Sequence, residues 1–276
     1  MTPPRVVVVV SARMASSRCP GKALAPLAGR PLLEVLLERM RSTGLPVVLA
    51  TSRGADNDPL AELAGRLGLP VFRGDEDDVL RRHVDCAHQH AADAVVRVTG
   101  DNPLTDLETL QDLVAAHVTA DADYTYVPGD ALLMGILSEV ISTAALERSW
   151  AAGAARHRSE LVTLYIKEHP EEFRVQTRPL PPGLYRPELR LTVDEPEDVT
   201  LMQAVFERLE APGKVVTTRE AIALLDREPA LAQVNAHLRH RAANLRSVAL
   251  DAGITGNPDL ARETRTARSG GRGVRE

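Results

Sequence analysis

Four short runs of apolar residues recur in the first part of the chain, separated by longer stretches in which apolar residues follow helical spacing. The runs are rich in β-branched residues and occupy residues 6–10, 47–50, 70–72 and 94–98. Strands that alternate with amphipathic helices are typical of βαβ units, whose strands pair in parallel. Because residues 6–10 are all valine, we place this run at the centre of the sheet, buried on both faces.

Signals for helix starts fall between and after these runs. Pro31 can occupy the first turn of a helix, and Thr105 with Glu108 forms a possible capping box. Thr217 and Glu220 form a second such box later in the chain. We therefore predict an α/β fold with a doubly wound, mainly parallel sheet.

The alternation breaks over about residues 128–187, which we interpret as an insertion or subdomain. A short strand is predicted near residues 136–141, and helices are predicted over residues 143–152 and 157–168. A substrate pocket and a dimer contact are the roles we expect of such an insert.

The sheet pattern returns after the insert. Residues 189–193 are predicted to form a further strand, followed by a helix through Glu210. We assign residues 1–250 to a single domain. Residues 251–276 are polar and contain Ser-Gly-Gly-Arg-Gly near their end, so we predict a disordered tail.

Composition excludes several functional classes. The 38 acidic and 33 basic residues are interspersed and give a net charge of −5, so we expect no basic surface for a nucleic-acid backbone. The first residues show neither a membrane span nor a signal-peptide pattern, which predicts a cytoplasmic protein. Cys19 and Cys86 are the only cysteines and form no CxxC pair, so neither a disulfide nor structural zinc is expected.

The segment directly after the first run is the best candidate for a nucleotide site. Residues 11–22 place Arg13, Arg18 and Lys22 at the carboxyl end of a central strand, where ligands bind in doubly wound sheets. Backbone N–H groups and these three cations can converge on a triphosphate. The segment has no GxGxxG, and Gly21 and Lys22 do not complete a P-loop, so a dinucleotide fold and a P-loop ATPase are excluded. The alternative is that the cations are ordinary solvated charges.

Two acidic residues follow later strands. Asp101 comes directly after residues 94–98, and Asp194 follows the predicted strand over residues 189–193. Two strand-end carboxylates beside a triphosphate suit Mg²⁺, which takes one or two carboxylates with phosphate oxygens and water. Each acid also has a structural alternative, because Asp101 can brace a turn and Asp194 can cap the helix that follows it.

Three motifs combine these residues. They read Ala12-Arg13-Met14-x-Ser16-Ser17-Arg18-x-Pro20-Gly21-Lys22, Val98-Thr99-Gly100-Asp101-x-Pro103-Leu104 and Thr192-Val193-Asp194-x-Pro196-Glu197-Asp198. Together they resemble the cytidylyltransferases that make CMP-activated acidic sugars, over roughly residues 5 to 210. The chain looks most similar to the spore coat polysaccharide branch, and more distantly to the enzymes that activate 3-deoxy-manno-octulosonate and N-acylneuraminate.

The resemblance implies a nucleotide-diphospho-sugar transferase-like fold and a homodimer. It implies transfer of CMP from CTP to an acidic sugar or related small acid, with Mg²⁺ as cofactor and pyrophosphate as leaving group. Metal binding would fall to Asp101 and Asp194, and catalysis to Arg13, Lys22 and Asp101. Nucleotide binding would involve Ala12, Arg13, Ser16, Arg18, Lys22, Thr51 and Asp101. One departure is Ser11, which stands where many relatives have Gln.

Candidates for binding the acidic acceptor lie in the insert. Arg156, Arg158 and Arg186 could each pair with a carboxylate or phosphonate. Glu139 lies in a stretch that is weakly similar to a Gly-Leu-Asp-x-Glu-Val segment of the relatives. Apolar residues of the insert could serve a dimer contact or an internal core strand equally well, and they are Leu132, Leu133, Ile136 and Leu137.

Other functions stay open at this point. The enzyme could use another nucleotide or a phosphonate acceptor, and the same fold could serve a glycosyltransferase or a non-catalytic nucleotide-binding protein. A glycosyltransferase is expected to have a DxD metal motif. Asp121-Ala122-Asp123 has this pattern, but it precedes a predicted strand, so we interpret it as a turn.

Overall fold

The computed structural model describes residues 3–128 and 135–238. Nine strands occur in this part of the chain, and seven of them form one sheet in the order β5-β4-β1-β6-β8-β7-β9. In chain order the strands are β1 (Val6–Ser11), β2 (Pro26–Leu27), β3 (Arg30–Pro31), β4 (Val47–Ser52), β5 (Val71–Gly74), β6 (Ala94–Thr99), β7 (Tyr124–Tyr126), β8 (Glu139–Ser142) and β9 (Val175–Thr177).

The sheet is mainly parallel, as predicted. Strands β5, β4, β1 and β6 all run in the same direction, whereas β8 is antiparallel to both of its neighbours and β9 is parallel to β7. Ser11 at the end of β1 is the register partner of Ala50 in β4 and of Thr99 in β6. The loops that follow these central strands therefore start side by side at one edge of the sheet.

Helices cover both faces of the sheet. They are α1 (Leu32–Arg41), α2 (Asp58–Arg66), α3 (Val79–Gln89), α4 (Leu107–Thr119), α5 (Thr143–Ala152), α6 (Leu164–Glu168), α7 (Pro196–Leu209), α8 (Thr218–Arg227) and α9 (Pro229–Ala232). Alternate valines of β1 face two separate cores, with Val8 in the core that includes α1, α4, α7 and α8, and Val9 in the core that includes α3, α5 and α6. Because both valines are fully buried, the central position predicted for this strand is confirmed.

The insert contributes strands to the same sheet. The predicted strand near residues 136–141 begins later, as β8, and α5 has the bounds predicted for it. Of the apolar residues that suggested a dimer contact, Ile136 and Leu137 are buried in the core. Leu132, Leu133 and residues 251–276 lie outside the described residues.

Two helix predictions were wrong. Helix α4 begins after Asp106, whose carboxylate accepts the N–H of Thr109 at 2.8 Å. Thr105 is not the cap, because its hydroxyl instead donates to the carbonyl oxygen of Asn102 at 2.8 Å. Residues 157–168 do not form one helix, since a 3₁₀ turn over Ala155–Arg158 is followed by irregular chain before α6.

The strand predicted over residues 189–193 is also absent. Leu189, Leu191 and Val193 are buried, which explains the strand-like apolar alternation. Their segment passes the carboxyl edge of the sheet instead of joining it. The N–H of Val193 donates to the carbonyl oxygen of Asp101 at 2.8 Å. This crossing brings the following residue, Asp194, next to Asp101.

No helix among residues 3–128 and 135–238 is long and apolar enough to cross a membrane.

Candidate active site

The loop after β1 is held close to the end of β6. The N–H of Gly100 donates to the carbonyl oxygen of Ser11 at 2.7 Å. A Cβ atom at position 100 would lie 2.6 Å from Cβ of Ala12. Glycine is therefore required here, because any side chain would push the two strand-end loops apart.

The same loop is folded by its own backbone. The carbonyl oxygen of Met14 accepts the N–H of Ser16 at 3.0 Å and that of Gly21 at 3.1 Å, and the N–H of Met14 donates to Oδ1 of Asn57 at 2.8 Å. Gly21 has φ of +72°, a left-handed conformation that suits glycine. A 3₁₀ turn follows immediately at Lys22–Leu24 and directs Lys22 towards the edge of the sheet.

Lys22 bridges the two predicted metal ligands. Its Nζ donates to Oδ2 of Asp101 at 2.8 Å, to Oδ1 of Asp194 at 2.9 Å and to the carbonyl oxygen of Val193 at 2.8 Å. All three ammonium protons are thus used. Burial alone would lower the pKa of Lys22, but the charges of Asp101 and Asp194 more than offset it and raise that pKa above its ordinary value.

Asp194 lies among cations. Its Oδ1 is 3.0 Å from a guanidinium nitrogen of Arg18, and its Oδ2 is 3.2 Å from one of Arg190. Burial raises the pKa of Asp194, but Lys22, Arg18 and Arg190 outweigh this effect and hold it below the usual value for an aspartate. The carboxylate is therefore charged at neutral pH.

The capping alternative for Asp194 was wrong. Helix α7 has Glu195 as its N-cap residue, and the carboxylate of Asp198 accepts the N–H groups of Asp194 and Glu195 at 2.9 and 3.0 Å. The side chain of Asp194 is consequently left to face the loop after β1.

The two carboxylates fit a divalent cation. A single atom, Nζ of Lys22, lies within 2.9 Å of oxygens from both Asp101 and Asp194, so those oxygens converge on one point. Carboxylate oxygens, completed by phosphate oxygens and water, are the ligands that Mg²⁺ prefers. A bound ion would compete with the ammonium group for these oxygens.

The other predicted nucleotide-binding residues lie along the same edge of the sheet. Arg13 has a side chain that is 41% exposed and lies 3.6 Å from the carboxylate of Glu160. Ser16 accepts the N–H of Cys19 at 3.3 Å, so its hydroxyl supports the loop. Ala12 is buried, and Thr51, at the end of β4, is fully buried with a hydroxyl that has no hydrogen-bond partner among the described residues.

Each of the three arginines predicted to bind the acceptor contacts another side chain of the protein. Arg156 pairs with Glu168 at 2.6 Å. Arg158 stacks over the ring of Trp150, with its guanidinium carbon 4.9 Å from the ring centroid. Arg186 pairs with Glu188 and Asp226.

Glu139 is enclosed rather than open to a substrate. Only 2% of it is exposed. Burial alone would raise the pKa of Glu139, but Lys167 at 2.8 Å and Arg97 at 2.9 Å lower it to about 2. The hydroxyl groups of Tyr124 and Thr163 also donate to this carboxylate.

The sequence analysis did not identify several residues that hold the segment of Asp194 in place. Arg190 and Asn235 were not singled out, and Asp198 appeared only as a letter in a motif. Asn235 carries no sequence signal, because it lies far along the chain from the residues it contacts. Another missed contact is that Ser11 lies 3.1 Å from Nε2 of the fully buried His83.

Comparison with known proteins agrees with this arrangement. A family model described as "Cytidylyltransferase" matches residues 7–241. The spore coat polysaccharide biosynthesis protein SpsF of Bacillus subtilis is 36% identical over 232 residues, which cover 81% of this chain and 95% of that protein. An uncharacterized protein of Methanocaldococcus jannaschii is 33% identical over 240 residues, which cover 86% of this chain and 97% of that protein.

The fold is similar to that of a solved relative. A cytidylyltransferase from Leptospira borgpetersenii serovar Hardjo-bovis superposes with a TM-score of 0.75 at 25% identity, over 83% of this chain and 97% of that chain. The sequence motifs, the mainly parallel sheet and these matches lead to the same result. The chain belongs to the cytidylyltransferase family of nucleotidyltransferases.

Proposed function

We propose that this enzyme transfers CMP from CTP to a hydroxyl of an acidic sugar or a related small acid, releases pyrophosphate and requires Mg²⁺. The observation that carries the proposal is the convergence of Asp101 and Asp194 on Nζ of Lys22, within 2.9 Å of each carboxylate, beside the loop after β1. The similarity to SpsF, a protein named for polysaccharide biosynthesis, supports an acceptor from that chemistry.

Cations of the loop would bind the triphosphate. The side chains of Arg13 and Arg18 are 41% and 46% exposed, so their guanidinium groups can reach a ligand at this edge. Guanidinium groups pair bidentately with phosphate oxygens. Backbone N–H groups of the loop would add further donors, as they do in other anion-binding loops.

The chemical step is a displacement at phosphorus. A hydroxyl oxygen of the acceptor attacks the α-phosphorus of CTP in line, and the bond to the bridging oxygen of pyrophosphate breaks. Arg13, Arg18 and Lys22 stabilise the negative charge on the leaving group, and positioning of the two substrates supplies most of the remaining effect. The hydroxyl proton passes to solvent, so the scheme requires no side-chain base.

Asp101 and Asp194 would hold the divalent cation. When bound, Mg²⁺ would polarise phosphate oxygens and lower the pKa of the attacking hydroxyl. Lys22 would then exchange at least one of its carboxylate bonds for a phosphate oxygen. Lys22 would therefore keep the same number of contacts with negatively charged oxygens.

Acceptor binding by Arg156, Arg158 or Arg186 would involve competition. Arg156 and Arg186 are paired with carboxylates of the protein, and Arg158 lies 3.9 Å from the carboxylate of Asp78. An acidic acceptor would have to displace or share these partners. On the family resemblance we also propose a homodimer, and the cytoplasmic location expected in the sequence analysis stays a proposal.

Pyrophosphate release tests the proposal directly. Purified protein would be given CTP, UTP, GTP or ATP with Mg²⁺ and a panel of acidic sugars, phosphosugars and phosphonates. We expect release with CTP and an acidic sugar, and none when EDTA replaces Mg²⁺. Release with another nucleotide would overturn the choice of CTP, and release only with phosphonates would overturn the choice of acceptor.

A further inference from the structure

The segment that carries Asp194 rests on a side chain from the end of the described chain. Asn235 is 1% exposed. Its amide nitrogen donates to the carbonyl oxygen of Arg190 at 3.0 Å and to Oδ1 of Asp198 at 2.8 Å. Both amide protons are therefore used, and both bonds end on residues that contact Asp194.

Asp198 is the centre of this network. It is fully buried, and Oδ2 accepts the backbone N–H groups of Asp194 and Glu195 at 2.9 and 3.0 Å. Its two oxygens also accept Nε and Nη2 of Arg190 at 2.9 and 2.8 Å. Two parallel bonds of this kind fix the plane of a guanidinium group. Asp198 therefore holds the backbone of Asp194 and the head of Arg190 at the same time.

Arg190 extends the network to the side chain of Asp194. Its Nη2 lies 3.2 Å from Oδ2 of that carboxylate. The other oxygen, Oδ1, is the one that faces Lys22. The carboxylate is thus held by one oxygen while the second points to the place where the two predicted metal ligands converge.

We propose that Asn235, Asp198 and Arg190 are positioning residues for the metal-binding carboxylate of Asp194. The inference rests on the proposed divalent metal site and extends it to the segment after α9, which has no other assigned role. Groups that orient a metal ligand typically change metal affinity about 10- to 100-fold when they are replaced. The effect of position 235 is therefore expected on metal affinity and not on nucleotide contacts.

The geometry requires an amide at position 235. Asn235→Asp keeps the size of the side chain but removes both donors and places a second carboxylate against Asp198. Asn235→Ser is milder, because it keeps one donor, and it provides a second variant if the first folds poorly. Thr218→Val is a matched control, since Thr218 is equally buried and its hydroxyl donates to the carbonyl oxygen of Leu104 at 3.0 Å, in a separate network with Arg39.

The test measures CTP binding by isothermal titration, once with Mn²⁺ in excess and once with EDTA, without any acceptor. The Kd in EDTA divided by the Kd with Mn²⁺ reports what the metal adds to nucleotide binding. We expect wild type to bind CTP more tightly with Mn²⁺. In Asn235→Asp the ratio should fall about tenfold or more, with Asn235→Ser in between and Kd in EDTA unchanged within about twofold. Thr218→Val should keep the wild-type ratio although its Tm falls.

The outcomes separate the two proposals. A wild-type ratio of one would overturn the metal site itself, and the positioning role with it. A normal wild-type ratio that both Asn235 variants retain would overturn the positioning role alone. An equal loss of CTP affinity with Mn²⁺ and with EDTA would show that Asn235 supports only the fold of the site, and would overturn the proposal as well.

Discussion

The ammonium group of Lys22 lies 2.8 Å from the carboxylate of Asp101, although the two residues belong to different loops. The loops follow β1 and β6, which are adjacent parallel strands with Ser11 and Thr99 in register. Pairing of two strands therefore determines where a cation and an acid meet. A register shift of one residue would turn the side chains at the strand ends to the opposite faces of the sheet.

Replacing either predicted metal ligand should abolish turnover while the protein stays folded. In Asp101→Asn and in Asp194→Asn we expect kcat for pyrophosphate release to fall about 10³-fold or more, because charge stabilisation at the reacting phosphate is the main contribution to catalysis. Circular dichroism would confirm the fold. Asp112→Asn, which removes a surface pair with Arg178, is the control and should keep wild-type activity. Full activity in either ligand variant would contradict the metal assignment.

Removing the bridging cation should make stability depend on magnesium. In Lys22→Met the carboxylates of Asp101 and Asp194 lose the ammonium group that both contact, so they repel each other. We expect kcat/KM for CTP to fall about 100-fold. Mg²⁺ should raise the Tm of this variant more than that of wild type. Equal Tm shifts in the two proteins would show that the metal does not occupy the place of the ammonium group.

Glu139→Gln should destabilise the protein, whatever the acceptor is. The substitution leaves Lys167 and Arg97 without the buried carboxylate that both contact. Breaking a buried ion pair in this way typically costs about 3–5 kcal/mol. Urea denaturation would measure the loss, with the exposed Glu160→Gln as a control that should change stability by less than about 0.5 kcal/mol. A stable Glu139→Gln enzyme with a raised KM for the acceptor would instead support the substrate-binding role.

Acid should destabilise the protein from about pH 6.5 downwards, before carboxylates protonate. Burial lowers the pKa of His83 to about 3 and that of His117 to about 4 in the folded protein. The unfolded chain takes up protons near pH 6.5, whereas the folded protein does not, so stability is complete above that pH and falls below it. Each histidine contributes about 1.4 kcal/mol per pH unit.

Urea denaturation at pH 7.5 and pH 5.0 would measure this loss. His117→Asn should reduce the difference between the two pH values by about 2 kcal/mol, because one proton-binding site of the unfolded chain is removed. A difference that does not change in this variant would show that His117 titrates normally in the folded protein.

The central fold could be predicted from the sequence because the residues that favour strands are also the residues that the sheet buries. Strands β1, β4 and β6 are rich in β-branched residues that the sheet buries, and α5 and the Thr217 capping box follow local rules. Residues 189–193 were predicted to form a strand because alternate residues are apolar. Burial at alternate positions does not require a paired strand, and this segment has none. It passes the edge of the sheet, where the N–H of Val193 donates to the carbonyl oxygen of Asp101.

The candidate site could be predicted only in part. Lys22, Asp101 and Asp194 were expected to meet because loops at the carboxyl ends of parallel strands share one edge. Asp198 appeared in the sequence only as the last residue of a motif, and its role as a buried hydrogen-bond acceptor became visible only in the structure. Asn235 could not be found, since no rule of spacing links it to Arg190, 45 positions away.

The ammonium group between the two carboxylates means that this enzyme carries an internal counter-ion. Carboxylates that share a metal ion repel each other when the ion leaves. Here Lys22 donates to Asp101 and Asp194 within 2.9 Å. Chelation should therefore switch the enzyme off without unfolding it. Returning magnesium should restore activity without any refolding step, because the chain keeps its fold while the ion is absent.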